Sequence, residues 1–167
     1  MMPNSNALRA LAAELAMSRA MIDDKATLVS ARRQEAQQSS AEAHIIALAY
    51  EVHNFYGLCE QTFERIRSVF AVPVSRPDRY HEELLNQMAL DIPEVRPAVI
   101  STEFKQRLDE FRRFHHVFRH AYVAQFDRQR VLELAGLVAP MAQAITEALE
   151  QFRAHLLELA DRLDAAG

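Results

Sequence analysis

Residues 45–70 read IIALAYEVHNFYGLCEQTFERIRSVF, and this stretch decides the fold. Ile45, Leu48, Val52, Phe55, Cys59, Phe63, Ile66 and Phe70 follow one another by steps of three and four. Side chains at those steps line one face of an α-helix, because 3.6 residues complete a turn. A strand would show a period of two, which is absent. The stretch therefore predicts a core helix over about residues 40–70. Ser39 followed by Glu42 has the form of a capping box at its start. Pro73 and Pro77 stop it, since proline lacks the N–H and its ring clashes with the preceding turn.

The same spacing continues outward in both directions. Leu8, Leu11, Leu15, Ile22 and Val29 predict a first helix over about residues 5–33, ended by the polar stretch Arg32–Ser40. Asp78 is read as the cap of a shorter helix, roughly 79–90, holding Leu84, Leu85 and Met88. Pro93 and Pro97 make Asp91–Ser101 irregular, yet Ile92, Val95, Val99 and Ile100 need cover, so it should pack down. Ser101 or Thr102 caps a helix over about 103–124, and Asp127 caps the last one. That last helix carries a stripe from Val131 to Leu163, with Gly136 four residues before Pro140, where a kink or break is expected. The sum is an all-α, up-and-down bundle of four long helices plus one short helix, read as a single domain over residues 1–167.

Composition agrees. Three glycines in the chain are too few for the turns of a sandwich or barrel, and half the residues are apolar, which argues against disorder. The lone Cys59 can form no intramolecular disulfide and reads as a small buried apolar residue. The N-terminus lacks the basic and apolar blocks of a leader, and the longest apolar run, Ile45–Tyr50, is too short to cross a membrane. A cytoplasmic protein without membrane attachment is the expectation. The net charge of −4 is uneven: Thr102–Arg130 holds seven basic and four acidic residues, a local +3 that leaves −7 on the rest. A basic patch on an acidic protein fits a polyanion bound at one place, and equally a solvated face.

Within that patch, residues 111–122 read FRRFHHVFRHAY. On a helical wheel with Arg113 at zero, His120 falls at about 340°, His116 at about 300°, Arg112 at about 260° and Arg119 at about 240°. Phe104, Leu108, Phe111, Phe118 and Tyr122 fall between about 140° and 220°, with His115 among them at about 200°. The basic groups thus share a face largely opposite the core stripe. Arginine's planar fork suits phosphate oxygens, and histidine is the side chain that moves protons near neutral pH. Cleavage of RNA by the neighbouring 2′-hydroxyl needs these two functions and no metal. Arg113 and His120 are the candidate catalytic pair. Arg112, His116 and Arg119 are either phosphate contacts or a solvated face. His115 reads as a satisfied interior histidine. Tyr122 reads as a core aromatic whose hydroxyl reaches solvent. Asn54 and Glu60 of the second helix face the site or the surface.

An Arg followed after six residues by a His, then by Ala121 and Tyr122, resembles the HEPN ribonucleases, whose motif is Arg, four to six residues, His, and especially the HepT branch, which adds His-x-Tyr. The runs Tyr80–Met88 and Pro93–Ser101 are similar to HepT-like proteins as well, so that the likeness covers roughly residues 45–150. The resemblance implies a metal-independent endoribonuclease toxin with no cofactor, acting on RNA as a homodimer whose two Arg-His motifs meet across a cleft. It also implies a small MNT-type nucleotidyltransferase antitoxin that adds AMP to Tyr122. One departure stands out: the tightest motif spacing would place the arginine at position 115, where this chain has His115. Either Arg113 serves instead, or the activity is weakened or lost. The alternatives to the enzyme are a catalytically inactive HEPN module binding RNA, a nucleotide or a protein partner, and a purely structural oligomer.

Overall fold

The computed structural model describes residues 3–120 and 126–166. They form five α-helices: α1 (Ser5–Gln38), α2 (Glu42–Val69), α3 (Tyr80–Met88), α4 (Thr102–His120) and α5 (Arg128–Ala166), with a single 3-10 turn, Pro77–Arg79, leading into α3. Among the described residues there is no strand, only an isolated bridge between Ile92 and Arg96. The all-α bundle expected from residue spacing is what the chain adopts.

Its most extensive pairing joins α1 to α5. Leu8, Leu15, Ile22, Val29 and Ala36 are buried at steps of seven, and so are Val131, Val138, Ile145 and Phe152. A seven-residue apolar repeat makes a seam between two long helices that wind slightly around each other. The helices run antiparallel: Arg9 near the start of α1 pairs with Asp161 and Asp164 near the end of α5, while Arg33 near the end of α1 donates to the Leu132 carbonyl. α2 lies on this hairpin, and α4 lies antiparallel on the other side of α2, with Phe111 edge-on to Phe55 at 5.5 Å. α3 bridges α2 and α4. α4 scarcely touches α5, which leaves much of α4 uncovered.

Several local readings change. α1 extends to Gln38, through most of the polar stretch Arg32–Ser40 expected to end it. Ser39 bonds the Ala41 N–H rather than closing a capping box with Glu42, which is itself the first residue of α2. Asp78 lies inside the 3-10 turn and does not cap α3; the Glu83 carboxylate takes the Ser75 and Arg76 N–H groups instead. α5 runs unbroken through Pro140. Proline leaves the Gly136 carbonyl without its usual donor, and Gly136 makes room there for the Arg33 guanidinium, whose nearest atom lies 3.1 Å from where a Cβ would stand. Ser101 and Asp127 do cap α4 and α5, accepting from the Phe104 and Gln129 N–H groups.

The connection before α4 packs down as its apolar residues require, with Val99 and Ile100 buried. It also buries Arg96, whose guanidinium donates to the Gln87 and Pro97 carbonyls at 2.9 and 3.0 Å. These bonds tie the end of α3 to the approach to α4. α5 contains an 18-residue window long and apolar enough to span a membrane, and 44% of that window is buried within the bundle.

Candidate functional site: the outer face of α4

Ser101 starts α4, and Leu108, Phe111 and His115 anchor it against α2. Anchoring one side fixes which residues face outward. Arg113, His116, Arg119 and His120 are exposed, and Arg112 is half-buried at the edge of the patch. The helical wheel drawn from sequence is therefore realised in space.

The outer groups are held by near neighbours on the same helix. The Asp109 carboxylate takes Arg112 Nε at 2.6 Å and Arg113 Nε at 2.8 Å, so one acid serves two arginines. The Arg113 side chain is nonetheless 73% exposed, which leaves its terminal amino groups open to solvent. His120 Nδ1 lies 2.8 Å from the His116 carbonyl oxygen. A carbonyl only accepts, so Nδ1 donates here, and in the neutral ring the lone pair is then on Nε2. The His116 and His120 rings sit 4.4 Å apart. Val117, on the crest between Arg113 and His120, is 61% exposed.

The inner side is built differently. His115 is buried, its Nδ1 3.2 Å from the His53 carbonyl, and its ring stacks on that of His53 at 4.1 Å. His53 in turn stacks on Phe118 at 4.4 Å, and Phe118 on Phe126 at 5.5 Å, so four rings form a ladder between α2 and α4. Burial first, then the charge of His115 and of Arg119, pushes His53 down to about 4. Burial likewise lowers His115. Both imidazoles are neutral at pH 7. His115 is thus the interior histidine expected, and it offers neither a cation nor a contact to a ligand on the outer face.

The Glu60 carboxylate lies 2.8 Å from His81 Nδ1, joining α2 to α3. Asn54 lines a cleft between α1 and α2. Tyr122 lies outside the described residues. Among the described residues no three His, Cys, Asp or Glu side chains gather as a metal ion would need. Cys59 is fully buried, and burial pushes its thiol up to about 12, so it stays protonated.

Comparison with known proteins adds one decisive match. A family model described as HepT-like protein covers residues 47–156, about two thirds of the chain, from α2 through most of α5. The chain belongs to the HepT-like family. The match takes in all of α3 and α4 and leaves out α1. No curated protein and no solved structure matches this HepT-like chain. The residue at which it departs from the tightest form of the Arg-His motif, His115, lies in the core and not on the outer face.

Three organising residues, His53, Asp109 and Arg96, are absent from the sequence reading. His53 acts through rings far along the chain, and Arg96 through the carbonyls of Gln87 and Pro97 in an irregular segment, neither of which apolar spacing reveals. Asp109 was visible four residues before Arg113, a spacing that makes ion pairs on a helix, and this was the signal available.

Proposed function

We propose that this HepT-like protein is a metal-independent endoribonuclease toxin, acting in the cytoplasm, with its chemistry on the outer face of α4. The observation that carries the reading is the pairing on one exposed helix face of a solvent-open guanidinium, Arg113, with a histidine, His120, whose tautomer leaves Nε2 unprotonated. In the proposed reaction His120 Nε2 removes the proton from a ribose 2′-hydroxyl. The 2′-oxygen attacks the adjacent phosphorus, and the guanidinium of Arg113 holds the negative charge of the five-coordinate phosphorane. The P–O5′ bond breaks, O5′ takes up a proton, and the products are a 2′,3′-cyclic phosphate and a 5′-hydroxyl. Arg112, His116 and Arg119 line the strand's path as phosphate contacts.

The same face supports the reading of a homodimer. α4 is uncovered on the side away from α2, and Val117 is exposed there between Arg113 and His120, which leaves that side open to a partner surface. A second copy would place two Arg-His pairs across one cleft. The antitoxin partner is proposed to be an MNT-type nucleotidyltransferase: the Tyr122 hydroxyl attacks the α-phosphorus of ATP, pyrophosphate leaves, and the added AMP sets negative charge beside a phosphate site.

The test is cleavage of single-stranded RNA by the purified protein in EDTA, with the ends analysed for cyclic phosphate. His120→Ala and Arg113→Ala should each abolish it. Intact RNA with wild-type protein overturns the enzyme reading. One observation favours a second reading, an RNA-binding HEPN module without catalysis: Asp109 already pairs with Arg113. RNA bound but uncut, with affinity unchanged in His120→Ala, identifies that case.

A further inference from the structure

His116 and His120 stand four residues apart on α4, and both are exposed. Side chains at that step lie one above the other, because a helix turns once in 3.6 residues. Imidazole is the commonest metal ligand among side chains, and two histidines four apart on one helix face can hold one ion between them. The spacing of the rings fits. Their centres are 4.4 Å apart and their planes are inclined at 39°. With metal–nitrogen bonds of about 2.0–2.1 Å, two imidazoles side by side on one ion have ring centres about 4.5–5 Å apart. The pair stands close to that spacing already.

The hydrogen bonding fits independently of the spacing. His120 Nδ1 donates to the His116 carbonyl at 2.8 Å. A histidine that binds a metal through one nitrogen usually gives the other to a carbonyl or carboxylate, which fixes the ring and its tautomer. His120 has that bond in place, and Nε2 is the nitrogen left to bind. The surroundings select the ion. Arg112 and Arg113 share the Asp109 carboxylate, so two cations there are offset by one anion, and Arg119 adds a further positive charge. Repulsion acts on every cation alike, so the ion that binds is one that gains most from imidazole nitrogen. Nickel, copper and zinc do so, whereas magnesium and calcium take oxygen ligands. Among the described residues no third His, Cys, Asp or Glu joins the pair. Water fills the remaining positions, and the ion is exchangeable rather than structural.

We propose that His116 and His120 form a reversible site for one divalent ion of the nickel, copper and zinc series, and that the ion shuts off the ribonuclease by occupying His120 Nε2. The site stands on its own geometry. The inhibition rests on the ribonuclease reading above, because a nitrogen that ligates the ion can no longer take the 2′-hydroxyl proton.

The experiment is calorimetric titration of the full chain, free of any histidine tag, with NiCl2, ZnCl2 and MgCl2. Nickel and zinc should each bind at one ion per chain, and magnesium should not bind. His116→Ala and His120→Ala should each weaken nickel binding by about tenfold or more, since one ligand alone loses the effective concentration that the helix gives the second. His44→Gln, which removes a histidine of α2, should bind as wild type does. NiCl2 should raise the Tm of wild-type protein and of His44→Gln, and leave that of the two alanine variants unchanged. Affinity unaltered in either alanine variant, or magnesium bound as well as nickel, overturns the site. One ion per two chains overturns the single-chain site in favour of one shared by two copies. RNA cleavage should stop at the nickel or zinc concentration that fills the site and return in EDTA. A cleavage rate unchanged at saturation overturns the inhibition. Protein that binds the ion through both histidines and cleaves no RNA even in EDTA sinks the ribonuclease reading and leaves the metal site standing.

Discussion

Acidification tests the inner side of α4. In the folded protein His53 is held at about 4, against an ordinary 6.5 in the unfolded chain, chiefly by burial and then by the charge of His115 and Arg119. Between those values the unfolded chain takes a proton that the folded protein refuses. Stability from this group is therefore complete above about pH 6.5 and is lost as pH falls toward 4. Each unit of that gap corresponds to about 1.4 kcal/mol, an upper bound of about 3.4 kcal/mol. The ring is only half-buried, and water screens part of the penalty, leaving about 1–2 kcal/mol. His115 is lowered too and adds in the same direction. So do carboxylates such as Glu14 and Glu150, lowered by Arg65 and Arg153, though at more acid pH. A control must remove the imidazole and keep the stack. His53→Phe does this, since a phenyl ring can lie on His115 and Phe118, the two rings His53 stacks on at 4.1 and 4.4 Å. Urea unfolding by circular dichroism at pH 7.5 and 4.5 gives the comparison. Wild-type protein should lose about 1–2 kcal/mol more than His53→Phe between the two. Equal losses, or an NMR titration placing His53 of the folded protein near 6.5, would refute the reasoning.

Other substitutions probe the two faces separately. Asp109→Asn releases Arg113 and should tighten single-stranded RNA binding by about two- to fivefold at low salt, the scale of an exposed ion pair; unchanged affinity in a filter-binding assay would mean Arg113 touches no phosphate. His115→Arg restores the tightest motif spacing but buries a guanidinium in the ring ladder; it should cost about 3 kcal/mol in urea unfolding and bring no gain in cleavage, and a more active variant would contradict the placement of His115 in the core. Arg96→Met strips the donors from the Gln87 and Pro97 carbonyls and should destabilise the protein by about 2 kcal/mol, read as a Tm drop of several degrees, without altering RNA affinity.

The parts of this molecule legible in sequence are those fixed by neighbours a few residues away. Apolar steps of three and four located all five helices, and Ser101 and Asp127 cap α4 and α5 as their side chains predict. Separation of the Arg113–His120 face from the Phe111–His115 side needed only the helical repeat. What stayed hidden depends on partners distant in the chain. Pro140 fails to break α5 because a long helix packed on α1 along its length keeps the other hydrogen bonds, and Arg33 arrives from α1 beside Gly136. Nothing near His53 indicates that it stacks on a residue 62 positions later. Tyr122, which the family resemblance singled out, lies outside the described residues.

The position of His115 also explains why Arg113 is the stronger candidate for holding phosphate. A buried ionisable side chain survives if it can shed its charge, which histidine does on desolvation and arginine does not. Position 115 packs under α2 against His53 and Tyr56, so the neutral imidazole fits where a guanidinium would need a buried counter-charge. Two residues earlier the helix has turned by about 200°, and Arg113 stands in solvent. The difference extends to the pair itself. An arginine at 115 would lie about 140° around α4 from His120, whereas Arg113 lies about 20° from it, two turns away along one line. Arg113 and His120 can therefore face one strand of RNA, or one partner subunit, together. Burial keeps the imidazoles beneath α4 uncharged, and the guanidinium of Arg119 acts in the same direction. α4 keeps the cations outside and the neutral rings inside because Leu108, Phe111 and His115 fix that one side of it against its neighbours.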